Sequence, residues 1–151
     1  MTTSSKARLL APLLVAVWLC GGGAAAAVAA DIKLQAQLVW GTNQDKVQDQ
    51  TAVEPQLRDK LRRVFQWKNY FEIGRQTLTL PAGGVQKAKL SDDCTVEVTH
   101  LGASNFQVKL IGKGKPVVTK RQPIIKGESL VMAGDDKNNT AWFVVLALAD
   151  K

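Results

Sequence analysis

His100 is the chain's single histidine, so any mechanism that needs an imidazole base must run through it. Three kinds of partner lie close in sequence: Ser104, the acids Asp92 and Asp93, and Cys94. A triad requires a nucleophile within hydrogen-bond reach of the base and an acid on the base's far side. If the segment "CTVEVTHL" is a strand, Asp93 lies about 24 Å from His100 along it. Cys94 is held away from His100 in the same manner, and Ser104 falls across a hairpin. The G-x-S-x-G elbow is absent. This pattern argues against hydrolysis, and no catalytic residue is assigned.

Metal and phosphate chemistry fare no better. The sequence has no C-x-x-C, no H-E-x-x-H and no second histidine, so a zinc site lacks ligands. Asp136, Asn138 and Thr140 in "GDDKNNT" faintly resemble the start of a calcium loop. The turn glycine and terminal glutamate are missing, and a polar hairpin turn is the better reading. Asn138, Asn139 and Thr140 also match an N-glycosylation sequon, relevant only in a eukaryote. "GKGK" lacks the spacing and following helix of a phosphate loop. No metal site and no cofactor are expected.

The remaining constellation is aromatic and basic. "VFQWKNYFEI" sets Phe65, Trp67, Tyr70 and Phe71 just after Arg62 and Arg63. Such a stretch is either a stacking platform or a junction where a helix packs onto a sheet. Burying a large aromatic contributes roughly 1.5–3 kcal/mol, more than a surface contact in the free protein, which favours the junction. Trp67 and Tyr70 sit off the main apolar stripes. With Arg58, Arg62, Arg63 and Lys68 they form the candidate interaction surface.

The elements that position these residues follow from periodicity. "DIKLQAQLVW" alternates, with Ile32, Leu34, Ala36, Leu38 and Trp40 on one face, as in a half-buried strand. "GTNQDKVQDQTAVE" reads as a surface connection. Pro55 suits a first helical turn, and Leu57, Leu61, Val64 and Phe65 make one stripe. Asp59 is spaced to pair with Arg62 or Arg63. In "NYFEIGRQTLTL" the apolar parity shifts from Phe71 and Ile73 to Leu78 and Leu80, which implies a β-bulge or break near Gly74 and Arg75.

Short strands and turns fill the rest. "PAGG", "SDD" and "GAS" are turns; "VQKAKL", "CTVEVTHL" and "NFQVKLI" are strands. "GKGKP" reads as a basic loop. "VVT", "PII" and "SLVMA" read as short strands, with Pro116 and Pro123 favouring an edge or strand start. "AWFVVLALA" is apolar on both parities, so it belongs in the middle of a sheet. The fold class is mainly β with one helix: an antiparallel β-sandwich or curled sheet, with a single helix between the first two strands, lying across an end or open edge.

Residues 1–30 read as a secretory leader and residues 31–151 as one β-rich domain. Lys6 and Arg8 precede an apolar run over residues 9–19, and small residues end at Ala30, where cleavage is expected. The Gly and Ala that follow the run leave an uncleaved anchor as the alternative, and Cys20 a lipid attachment disfavoured by Leu19 and Trp18. After cleavage no transmembrane span is expected.

Losing Lys6 and Arg8 lowers the formal net charge from +7 to +5. That surplus favours loose association with anionic lipid or polysaccharide. Nucleic acid is excluded as a partner for want of a dense basic block in an exported chain. Cys94 is left alone, so no internal disulfide forms. It is either a buried small apolar side chain or a point of pairing between molecules.

"LVWGTNQDK" at residues 38–46 and "FQWKNYFEI" at residues 65–73 resemble short exported bacterial proteins of unassigned function with the same strand, helix and strand order. The resemblance implies a periplasmic or secreted location and brings no catalytic residues. Together these features lead us to expect a non-enzymatic exported module that binds an envelope or secreted protein. The alternative is a binder of anionic lipid or polysaccharide through a basic surface made of Arg58, Arg62, Arg63 and Lys68 with Lys113, Lys115, Lys120 and Arg121.

Overall fold

The computed structural model describes residues 29–45, 47–136 and 138–150. The expected leader, including Cys20, lies outside the described residues except for Ala29 and Ala30. Among the described residues no helix is long and apolar enough to cross a membrane.

The elements run β1 (Ile32–Thr42), β2 (Thr51–Ala52), α1 (Pro55–Val64), β3 (Asn69–Leu80), β4 (Val85–Ser91), β5 (Cys94–Gly102), β6 (Asn105–Gly112), β7 (Lys115–Pro123), β8 (Ser129–Asp136) and β9 (Thr140–Leu148). They form two antiparallel sheets, one ordered β2-β3-β1-β9-β8 and the other β4-β5-β6-β7. Among the described residues this is the mainly β, sandwich-like arrangement with a single helix that the periodicity implies.

β9 lies inside its sheet and is buried on both faces because each parity serves a different core. Val144 and Leu146 join Leu34, Ala36, Leu38, Leu78 and Leu80 against Val96, Val98, Phe106, Val108 and Leu110 of the second sheet. Phe143 and Val145 join Val39 on the opposite face, where Leu57 and Leu61 of α1 and Tyr70 cover them. The layers are therefore helix, five-stranded sheet and four-stranded sheet. The helix lies on a face, not across an end or edge as expected. The reason is that β1 and β9 present apolar residues on that face as well, and these need a cover.

Pro55 opens α1 and Leu57 and Leu61 are its buried residues. Val64, expected on the same stripe, is 73% exposed. It lies about 60° around the helix from Leu61 at 3.6 residues per turn. The chain turns extended at Phe65, which swings that ring to 4.6 Å from Phe143 instead. Asp59 accepts from Arg58 Nε at 3.4 Å rather than pairing with Arg62 or Arg63.

The parity shift in β3 is a bulge, and its extra residue is Ile73: Leu38 pairs with Gly74 while Val39 pairs with Glu72. The bulge leaves Glu72 and Arg75 on the helix side together. Arg75 Nη2 donates to Glu72 Oε2 at 2.6 Å and to Glu54 Oε1 at 2.7 Å, and Gln37 Nε2 donates to Glu72 Oε2 at 2.9 Å. This network ties the start of α1 to the sheet. On the other face the backbone of β4 crosses directly over Gly74, where a side chain would strike the Leu90 carbonyl oxygen.

Two expected boundaries change. The polar connection after β1 contains the two-residue strand β2, which pairs with β3, and the buried Val53. "VVT" and the proline of "PII" belong to one continuous strand, β7, and Ile124 is buried beyond its end. β7 is an edge, as its prolines suggest.

Candidate interaction surfaces

The candidate surface at the helix exit separates into buried and exposed parts. Tyr70 is only 2% exposed; its hydroxyl donates to the Phe65 carbonyl at 3.1 Å and its ring lies 5.8 Å from Phe143. This removes Tyr70 from any docking surface: it lies off the helical stripe because it belongs to the strand's inward face. Burial pushes the Tyr70 hydroxyl's pKa up. Trp67 is half-buried over Gly41, where a Cβ would stand 2.9 Å from its Cδ1.

Arg58, Arg62, Arg63 and Lys68 remain exposed. Arg62 Nη2 donates to the Lys68 carbonyl at 2.6 Å, and Lys68 Nζ pairs with Asp45. These cations stitch the helix to its exit and to the preceding loop. The broad basic surface joining them to Lys113, Lys115, Lys120 and Arg121 does not form. The helix group sits on the outer layer, whereas the second group lies on the β6–β7 turn and β7 in the four-stranded sheet.

His100 shares the inward face of β5 with Val96 and Val98 and is 5% exposed. Its ring stacks on Phe106 at 5.0 Å, and Nε2 lies 2.8 Å from the Ala103 carbonyl oxygen, which fixes that nitrogen as the donor. Nδ1 is buried without a hydrogen-bond partner among the described residues. Neither Ser104 nor an aspartate is paired with the imidazole. Cys94, on the same face, is half-buried, and burial pushes its thiol pKa up, away from a reactive thiolate. Among the described residues no group of three or more His, Cys, Asp or Glu side chains is placed to hold a metal ion.

The sheet edges differ sharply. β2 offers two residues. β4 carries Lys87 and Lys89 and a register break before Ser91. β7 carries Lys115, Lys120 and Arg121 between and beside Pro116 and Pro123. Short length, lysines, prolines and bulges are the devices that stop a strand edge from pairing. β8 alone among these edges runs through residues 129–134 without a charge or a proline. Among the described residues no strand pairs with its free side.

Register brings a further feature to that edge. Phe71, Trp40, Trp142 and Gly134 lie directly opposite one another on β3, β1, β9 and β8. The three rings are half-buried, and those of Trp40 and Phe71 are 6.2 Å apart. Trp142 lies over Gly134, where any side chain would collide with the indole. No single stretch of sequence signals this row, because it depends on pairing between distant segments; Trp40 and Trp142 share parity with the inward residues of their strands, but the bulge takes Phe71 off the parity of Leu78 and Leu80.

Charge is distributed just as unevenly. Residues 98–127 contain six Lys and Arg and no Asp or Glu. Among the described residues, Lys113, Lys115, Lys120 and Arg121 lack a carboxylate partner, whereas Lys87 and Lys109 share Glu97 and Lys89 meets Asp92. Comparison with protein-family models, with curated proteins and with solved structures finds no match for this chain.

Proposed function

We propose that the chain is a non-enzymatic exported interaction module of the bacterial envelope or secretome, and that a partner's strand adds to its β8 edge. The observation that carries this reading is the contrast between β8, uncharged through residues 129–134, and the blunted edges β2, β4 and β7. A strand that pairs with β8 gains main-chain hydrogen bonds, and its side chain opposite Gly134 meets the Trp142 indole. The non-enzymatic part draws support from His100, whose ring is committed to the Ala103 carbonyl and Phe106. Export draws support from the leader pattern in residues 1–30 and from the resemblance to exported bacterial proteins.

The test is affinity capture from the producing cells' envelope with the wild-type chain and Ala133→Lys. Ala133 is exposed on β8, so the lysine charges the edge without entering the core. One stoichiometric protein held by wild type and lost from the variant is the expected result; equal capture by both rejects the β8 edge.

A second reading, binding of anionic lipid or polysaccharide, is favoured by the acid-free stretch over residues 98–127. Such binding weakens steeply with ionic strength, and salt-independent binding rejects it.

A further inference from the structure

We infer that the outward face of the four-stranded sheet rests on an anionic lipid bilayer. This builds on the second reading, binding of an anionic surface, and names both the face and the partner. Ala88, Leu90, Val96, Val98, Val108 and Leu110 point into the core, so the residues that alternate with them point away from it. Register sets Lys87, Glu97, Lys109 and Thr119 in one row across the four strands, and Val85, Thr99, Gln107 and Arg121 in the next. Helix α1 lies on the other sheet, and among the described residues no element covers this face.

Charge complementarity is the first argument for a bilayer. Residues 85–123, which form this sheet and its turns, contain seven Lys and Arg and three acids, so this layer holds four of the five surplus positive charges expected once the leader is removed. Glu97 is the one carboxylate in the two rows, and it lies between Lys109 Nζ at 3.1 Å and Lys87 Nζ at 3.4 Å. One acid between two ammonium groups leaves a net cation, and the Lys87 side chain is still 63% exposed. Arg121 Nε donates to Gln107 Oε1 at 2.7 Å, a neutral partner that holds the guanidinium on the face and leaves its charge. The second argument is apolar. Val85 is 51% and Leu101 49% exposed, and Leu101 follows the outward parity of Thr99, diagonally from Val85. A polysaccharide strand takes up the cations and leaves these two side chains in water. The interface of an anionic bilayer takes both: lipid phosphates meet the Lys and Arg heads while Val85 and Leu101 reach the acyl boundary.

Vesicle co-sedimentation tests this with the chain purified in the form its cells export. The vesicles are phosphatidylcholine alone, and phosphatidylcholine with an equal part of phosphatidylglycerol. Three double variants are compared: Lys87→Glu with Arg121→Glu on the face, Val85→Ser with Leu101→Ser on the face, and Arg58→Glu with Arg63→Glu on α1, which changes net charge by the same amount as the first. All six positions are exposed, and near-ultraviolet circular dichroism checks that each variant is folded. Lys87→Gln with Arg121→Gln replaces the reversal if that variant does not fold. Wild type is expected to bind the anionic vesicles, more weakly in high salt, and to leave the neutral ones. The face reversal lowers partitioning about tenfold or more. The serine pair lowers it several-fold, and the helix pair lowers it least.

Equal losses from the face and helix reversals overturn the inference in favour of net charge acting without a docking face. Serine variants that bind as wild type does overturn it as well, because the apolar pair then stays in water. Equal binding to neutral vesicles removes the role of charge and overturns it too. If wild type leaves both kinds of vesicle but is retained by a polyuronate column in low salt, this inference alone fails and the anionic-surface reading stands with polysaccharide as the partner. If the column also fails to retain it, that reading falls with the inference.

Discussion

The carbonyl oxygen of Leu90 in β4 occupies the space where a side chain on Gly74 of β3 would begin. The two sheets touch backbone to backbone there, directly beside the Ile73 bulge. A carbonyl oxygen cannot rotate away as a flexible side chain can. Gly74→Ala is therefore expected to destabilise the fold by roughly 1–3 kcal/mol, the usual cost of overpacking, with urea unfolding as the measurement. An unchanged midpoint would mean that the sheets separate freely at this corner.

Leu61 and Val64 share a sequence stripe but not a fate. Leu61 is 1% exposed in the core beneath α1, and Val64 is largely in solvent. Leu61→Ala is expected to cost about 2–5 kcal/mol. Val64→Ala should stay within about 0.5 kcal/mol of wild type. Equal costs in denaturant melts would place the helix in a different rotation on the sheet.

Glu72 sets an acid dependence. Hydrogen bonds from Arg75 chiefly, and from Gln37, hold its carboxyl below the ordinary value of 4.5, against the opposing effect of burial. A carboxyl depressed in the folded state contributes stability above its unfolded value, and the contribution is lost as pH falls through the folded one. Wild type should therefore lose stability on acidification below about pH 4.5, and Glu72→Gln should lose less over the same interval. Parallel pH profiles for the two proteins would remove Glu72 from that role.

The Cys94 thiol is half-buried and its pKa is raised by burial alone. Alkylation at mildly alkaline pH is expected to be far slower in the folded chain than after denaturation. Fast alkylation of the native protein would show that the inner face of β5 opens readily.

The local parts of this fold are legible in the residues themselves. Alternation sets β1, the double parity of "AWFVVLALA" places β9 inside its sheet, Pro55 starts the helix, and the parity shift around Gly74 marks the bulge. What is not legible is long-range. The face that α1 covers depends on Val39, Phe143 and Val145 coming together from distant strands. Tyr70 looks available because it leaves the helical stripe, yet strand geometry turns it into the core. The unblunted β8 edge is visible as a run without charge or proline only once the strand order shows that nothing pairs beyond it. The row of Phe71, Trp40 and Trp142 needs register that no single segment encodes.

The most direct measurement is site-specific photo-crosslinking in intact cells, with the reactive side chain at residue 133 on β8 and, as a control, at residue 119 on the outward face of the four-stranded sheet. Both positions are exposed. A discrete protein adduct from residue 133, absent from residue 119, is the expected result. Adducts of equal yield from both positions, or none from residue 133, would contradict the account.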